Sequence, residues 1–525
     1  MKKINRVFLV LLSFTLLISM CGCDMDNSDR SLLYETEIGI VNIDPQLATN
    51  DTELHIVHNA FEGLMKYNSA GTLINGVAES YTVTNNGKTY TFKLNPKSKW
   101  SDGRPLTAND FEFAFRRAVA PESQSPYAST LLPIKNVSKI LSGKLSPEEI
   151  AVKAVNDYEL VINLEGINKS FLHLLTTPVS MPCNQEFFLS CKGYYGLNRK
   201  SIISNGYYQI SAWNEEYCTL TANENYEEYG SSKVSTAYIY FNSEDELFEN
   251  IEKQEPHFSI LSDEMINRLD DSQIEYNPIH IGNTVHSLIF NPDSLISEIN
   301  ILKALTETIS FDISADLNKK YGITAAISIL PTSVDYSNKI SFNRKSTNKD
   351  KALDDFILGC ENLKVERIFP PFSIIYLKND TTEAVAQQIA SNWQGIFGIT
   401  VNITAVENEE ELTNLISSSA YDVAIISNKA ISSSPIPYLQ QFTSDAATNI
   451  SSFKSNNFDK AVKKMNRLEG KELLDATKAA ANIINDNKYI HPLFVSSKTY
   501  YFGSEVKPQF NPLNQIVYFS QVEFN

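Results

Sequence analysis

Three side chains early in the 525-residue chain have the spacing of a metal site: His55, His58 and Glu62, at i, i+3 and i+7. On one helix they would share a face, and imidazole with carboxylate suits a divalent cation. Any amphipathic helix has the same spacing and the other histidines are scattered, so no metal is expected. Cys183, Cys191, Cys218 and Cys360 match no zinc pattern. In an oxidising compartment Cys183 and Cys191 could pair, or all four could stay free thiols. There is no GxSxG, HExxH or P-loop pattern, and nothing in the sequence brings Ser, His and Asp together. No enzyme activity and no cofactor is expected. A different chemistry is suggested after Val423-Ala424-Ile425-Ile426, a short apolar run suited to a strand buried on both faces. In open α/β sheets ligands sit beyond the carboxyl ends of strands. The loop predicted over residues 427–435, opening with Ser427, Asn428 and Lys429, is therefore a candidate for ligand contact.

The elements that would position this loop are readable from periodicity. Val385, Ile389, Trp393 and Ile396 form a helical stripe closed by Gly398. Ile399, Val401, Ile403 and Ala405 alternate as a strand, and 409–417 is helical again. Strand, helix, strand predicts a right-handed parallel crossover. Further upstream, 81–84 and 89–94 read as a hairpin turned by Asn85-Asn86-Gly87. Thr107 and Asp110 then form a capping box for a helix burying Phe111, Ala114, Phe115, Ala118 and Val119. Residues 37–43 read as a short strand.

Lys2, Lys3 and Arg6 precede an apolar run, Val7 to Ile18, too short for a membrane anchor. This predicts a secretory signal over 1–22. Without those three basic residues the net charge of −17 is three units more negative. Such an acidic chain argues against nucleic acid and against basic-patch contact with anionic lipid. About 500 residues after the signal imply two or three domains.

Several segments carry a family resemblance. KWSDGRPLTANDFEFAFRRAVAPESQSPYAS, the Asp44-Pro45-Gln46 stretch, HNAFEGL over 58–64 and GVAES over 76–80 resemble landmarks of the extracytoplasmic oligopeptide-binding proteins of ABC importers, solute-binding family 5. The likeness is dense to about residue 240, thin from 260 to 380, and returns from 383. It implies an α/β, two-lobed, type II periplasmic-binding fold of three domains. Lobe I would comprise 31–65, 184–283 and 490–525, an inserted domain 66–183, and lobe II 284–489. Gly22 before Cys23 resembles a lipoprotein cleavage box, making Cys23 the lipidated residue on a tether over 23–30; Met20 makes Cys21 the poorer match. The implied protein is an extracytoplasmic monomer, lipid-anchored to the outer face of the cell membrane or periplasmic. It would hold extended oligopeptides between closing lobes and pass them to permease subunits.

The resemblance also places ligand contacts at Thr49, Asn50, Asp51, Tyr127, Ser427, Asn428, Lys429, Ile431 and Phe494. The acid that pairs with a peptide's ammonium in relatives falls on Ile431, and their Trp falls on Asn428. An aliphatic side chain cannot compensate a buried cation. Either the ligand amine is not buried there or another acid, Asp51 first, replaces the missing one. A receptor or accessory lipoprotein that has lost general peptide uptake, or a binder of another solute such as nickel, is the alternative reading.

Overall fold

The computed structural model describes residues 30–525 apart from 69, 273, 275, 277, 310–321, 342–347, 366–368, 431–432, 447, 488 and 512–513. The strands are β1 (Arg30–Thr36), β2 (Met65–Tyr67), β3 (Leu73–Asn75), β4 (Ala78–Thr84), β5 (Thr89–Leu94), β6 (Val152–Asn156) and β7 (Glu159–Asn163). They continue with β8 (Tyr208–Trp213), β9 (Tyr217–Ala222), β10 (Val234–Phe241), β11 (Phe258–Leu261) and β12 (Ile279–Phe290). The last are β13 (Thr324–Ala325), β14 (Phe372–Leu377), β15 (Val401–Val406), β16 (Val423–Lys429) and β17 (Ile490–Phe502). One long sheet runs β15-β14-β16-β12-β17-β11-β1-β10-β9-β8, with β13 on β17, and β4-β5-β7-β6 form a separate sheet.

The long strands β12 and β17 pair antiparallel from Ile279↔Tyr500 to Ile289↔Ile490. At one end Ile279, Ile281 and Tyr500 pack with a core drawn from residues 32–260 and 502–524. At the other, side chains of both strands enter two cores on opposite faces of the sheet, Val285, Ile289 and Val495 in one and Leu288, Phe290 and Phe494 in the other. Alternation along a strand sends successive residues to opposite faces. Val423 to Ile426 do the same and are 0–4% exposed, as their unbroken apolar run predicts. Gly282, in the first third of β12, has no room for a Cβ, which would collide with Thr332 Oγ1.

Locally the sequence patterns hold. The hairpin β4–β5 turns through Asn85 and Asn86, both at positive φ. Thr107 and Asp110 make the capping box of the helix Ala108–Val119. Asp110 also accepts from Trp100 Nε1 (3.2 Å), which ties the preceding turn to the helix. The helix Asp380–Phe397 ends on Gly398 at φ 65°, and a second helix spans Glu409–Ser417.

Three expectations need correction. Residues 37–43 are not a strand: β1 ends at Thr36, and the Val41 and Asn42 N–H groups (2.9 Å each) bond the Glu53 carboxylate rather than a neighbouring strand. Ser427, Asn428 and Lys429 are not loop residues, because β16 continues through them, paired with Thr284–His286 of β12. The strands β15 and β16 are parallel and joined by the helix Glu409–Ser417, as the strand–helix–strand rhythm predicts, with β14, which the periodicity did not single out, lying between them. Glu62 does not share a helix face with His55 and His58, since that helix ends at Ala60 and Phe61 is extended. Among the described residues the cysteines are free.

Arg117, at the end of the Ala108–Val119 helix, is buried and donates to both oxygens of Asp44 (2.5 and 2.6 Å) and to Gln46 Oε1. Its guanidinium lies 4.8 Å from the Phe188 ring centroid, and Gln46 Nε2 donates to Met181 O (3.0 Å). Two of the recognised segments thus bond each other. Removing one partner leaves a buried charge uncompensated, so Arg117→Met or Asp44→Asn should each lower stability by about 3–5 kcal/mol. The double variant should lose less than the sum. Urea unfolding of all three checks this; single variants as stable as the parent would refute it.

Candidate functional site

The helix Asp51–Ala60 is fixed by its own first turn. Asn50 is the N-cap, with Glu53 completing the capping box. The Glu53 carboxylate is buried and accepts from the N–H groups of Val41, Asn42 and Thr49 (2.9 Å each) and Asn50 (3.2 Å). A carboxylate taking several backbone donors at a helix start holds the whole incoming loop in register. Tyr127, part-buried, adds a bond from its hydroxyl to Ala48 O (2.6 Å), and burial pushes that phenol up to about 12. Thr49, exposed, and Asn50 therefore sit on a pinned loop, with Asp51 opening the helix behind them.

Asp51 meets side chains from two distant strands. Lys498 Nζ of β17 lies 2.9 Å and Lys429 Nζ of β16 lies 3.4 Å from the same oxygen, Oδ1. Burial would raise the Asp51 pKa, but the two ammonium groups overcome it and hold the carboxyl well below its usual range. Burial, together with repulsion from Lys429, lowers the Lys498 pKa against the pull of Asp51. Lys498 is only 8% exposed at its side chain and lies 5.2 Å from the Tyr500 ring centroid. Lys429 is 49% exposed.

The floor beside this cluster is one face of three adjacent strands. Register sets Ser427, His286 and Phe494 in one row, and Lys429, Thr284 and Ser496 in the next. His286 Nδ1 hydrogen-bonds with Ser427 Oγ and its Nε2 with Ser496 Oγ, both at 2.9 Å. The ring stacks on Phe494 at 4.2 Å and 10°. Burial lowers the His286 pKa to about 4, so the imidazole is neutral at pH 7. The structure thus joins serines and a histidine that the sequence left apart. Both histidine nitrogens face hydroxyls rather than a carboxylate, an arrangement without the acid of a Ser-His-Asp triad.

Other nominated residues lie elsewhere. Phe494 is fully buried beneath His286. Asn428 points to the opposite face of β16 from Lys429, where its Nδ2 donates to Gln441 Oε1 (3.4 Å). Ile431 lies outside the described residues. Two positions further along the chain, Ser433 Oγ donates to Asp335 (3.4 Å), whose pKa burial raises. Lys498, His286, Ser496 and Asp335 were missed from sequence. Period-two spacing from Phe494 through Ser496 and Lys498 to Tyr500 was the available signal for two of them. His55 bonds Asp51 O through Nδ1 (2.7 Å), and among the described residues no group of His, Cys, Asp or Glu side chains is placed to hold a metal.

Comparison with known proteins agrees with this architecture. An oligopeptide-binding protein of Bacillus subtilis is 24% identical over 100% of both chains. A dipeptide-binding protein of Lactococcus lactis is 26% identical over 94% of this chain and 93% of its own. Among solved structures, OppA of Haemophilus influenzae in complex with RPPGFSPFR matches with TM-score 0.77 and 22% identity over 95% of this chain and 99% of that one. OppA of Listeria monocytogenes bound to peptide matches with TM-score 0.76 and 22% identity over the same shares. These likenesses show the two-lobed type II periplasmic-binding fold. The model of the bacterial extracellular solute-binding proteins, family 5, matches residues 72–449. With most of its length so matched and the fold shared, the chain belongs to the bacterial extracellular solute-binding proteins of family 5.

Proposed function

We propose that this protein is the receptor of an ABC importer, capturing extended oligopeptides between two lobes and delivering them to a membrane permease. The observation that carries the reading is the run of β12 and β17 from one set of cores into the other, with polar side chains of β16, β12 and β17 on the face between. Lobe I is taken as 31–65, 184–283 and 490–525, lobe II as 284–489, and 66–183 as a domain inserted into lobe I. Rotation where β12 and β17 cross would open and shut the cleft as a hinge. The Asp51–Lys429 contact would then join the lobes at its mouth. An extended peptide satisfies its own main-chain donors and acceptors in such a cleft, which gives affinity with little side-chain selectivity. Relatives whose names state oligopeptide and dipeptide binding support this.

Cys23 is proposed as the lipid-bearing residue, which would hold the protein at the outer face of the membrane as a monomer. No helix among the described residues is long and apolar enough to cross a membrane, so attachment would rest on acyl chains. One chain alone binds marginally, and a stable tether needs more than one.

Ligand that binds only the folded state stabilises it by about 2.7 kcal/mol at a hundredfold excess over Kd. A mixture of random peptides added to protein stripped of carried ligand should raise the melting temperature and reduce the radius measured by X-ray scattering. No change in either would refute peptide capture. For the anchor, Cys23→Ser should abolish acylation as read by mass spectrometry, and Cys21→Ser should leave it in place. The reverse result would reassign the lipidated residue.

A further inference from the structure

The chemistry of the proposed cleft goes one step further, resting on the peptide-capture reading above. Two ammonium groups, of Lys498 and Lys429, share a single carboxylate oxygen of Asp51. The three groups together carry one uncompensated positive charge. The other buried ion pair is balanced: Arg117 faces Asp44 one to one, with Gln46 supplying a neutral acceptor. Here, among the described residues, no second carboxylate pairs with either lysine. The charged groups that act on Lys498 are Asp51 and Lys429. Glu53, the next acid in the chain, is taken up by four backbone N–H groups. The side chains on the adjoining floor, Ser427, Thr284, His286 and Ser496, are hydroxyls and a neutral imidazole. Behind Asp51, burial and the neighbouring Lys498 push His55 down to about 3, so it too is uncharged at pH 7.

A cation 8% exposed is poorly screened by water, and one 49% exposed can still be reached by a ligand. An incoming ammonium at this point meets two like charges and one carboxylate already occupied. An incoming carboxylate meets the surplus cation and a row of hydroxyl donors. We propose that the cleft takes an anionic group of its ligand, an acidic side chain or a terminal carboxylate of a peptide, against Lys429 and Lys498. On this assignment the protein prefers acidic peptides. The Asp51–Lys429 contact between the lobes is then made firmer when the ligand's anion joins it.

The test uses the full chain, stripped of carried ligand, and calorimetry with N-acetylated alanine pentapeptides. Each carries Glu or Gln at one position, and each is prepared with a terminal carboxylate or carboxamide. In at least one such pair the anionic peptide should bind about tenfold tighter or more, an advantage shrinking to about threefold or less in Lys429→Met and in Lys498→Met. Lys429 is half exposed, so its replacement leaves the cores intact. Equal affinity in every pair, or an advantage that survives in both variants, would overturn the assignment. Should no peptide bind, peptide capture itself fails, and N-acetylglutamate against N-acetylglutamine then tests the cation pair alone. A tenfold preference for the glutamate would uphold the anion site, and no preference would overturn it.

Discussion

The pairing of β12 with β17 is the constraint on which the rest of the molecule depends. Their ladder extends from Ile279↔Tyr500 to Ile289↔Ile490 and is interrupted by register shifts at Gly282/Thr284 and His286/Ser287. On one side of the first shift the side chains belong to the core of residues 32–260 and 500–524, on the other to the cores of 285–495. A bulged ladder bends and twists more than a regular one. The chain therefore crosses between cores where its backbone is least regular, and Gly282 is the residue that lets Thr332 approach there. The face of β16, β12 and β17 changes from apolar at Leu288, Phe290, Val423 and Ile425 to polar at His286, Ser427, Thr284 and Lys429.

Two buried or part-buried ion clusters illustrate different uses of charge. Desolvating a charged group costs several kcal/mol unless geometry and hydrogen bonds return it. Arg117 and Asp44 meet that condition, with bidentate geometry, an amide acceptor and an aromatic face beside the guanidinium. Their cluster is balanced, and it binds the Asp44–Gln46 segment to the Ala108–Val119 helix. The Asp51 cluster also has an aromatic ring beside one cation, but its two ammonium groups meet a single carboxylate oxygen and leave a surplus cation. A balanced pair suits a permanent joint, whereas an unbalanced one at the edge of a cleft invites a further anion.

The His286 row adds rigidity to that edge. With both nitrogens bonded to hydroxyls, which can donate or accept, and its ring stacked on Phe494, the imidazole has a fixed orientation and its partners suit either neutral tautomer. It ties β16 to β17 across β12. Lys429 and Lys498, which flank it on the outer strands, are thereby held on a defined floor.

Much of the local structure was legible in the sequence, because its causes act over a few residues. The hairpin at Asn85-Asn86-Gly87, the Thr107–Asp110 capping box, the helix closed by Gly398 and the buried Val423–Ile426 strand follow from φ preference, capping and periodicity. The family segments likewise marked Asp44 and the Ala108–Val119 helix, though not that they bond each other. Tertiary structure alone decided where strands end and what meets what. Residues 37–43 look like a strand, yet Glu53 claims their N–H groups; β16 runs on to Lys429 because Thr284–His286 pair with it. Asp51 and Lys429 stand 378 residues apart in the chain, and no periodicity operates over that distance. A lone aspartate and two lysines are ordinary surface residues in a sequence; their shared oxygen and surplus charge exist only once the sheet has folded and brought them together.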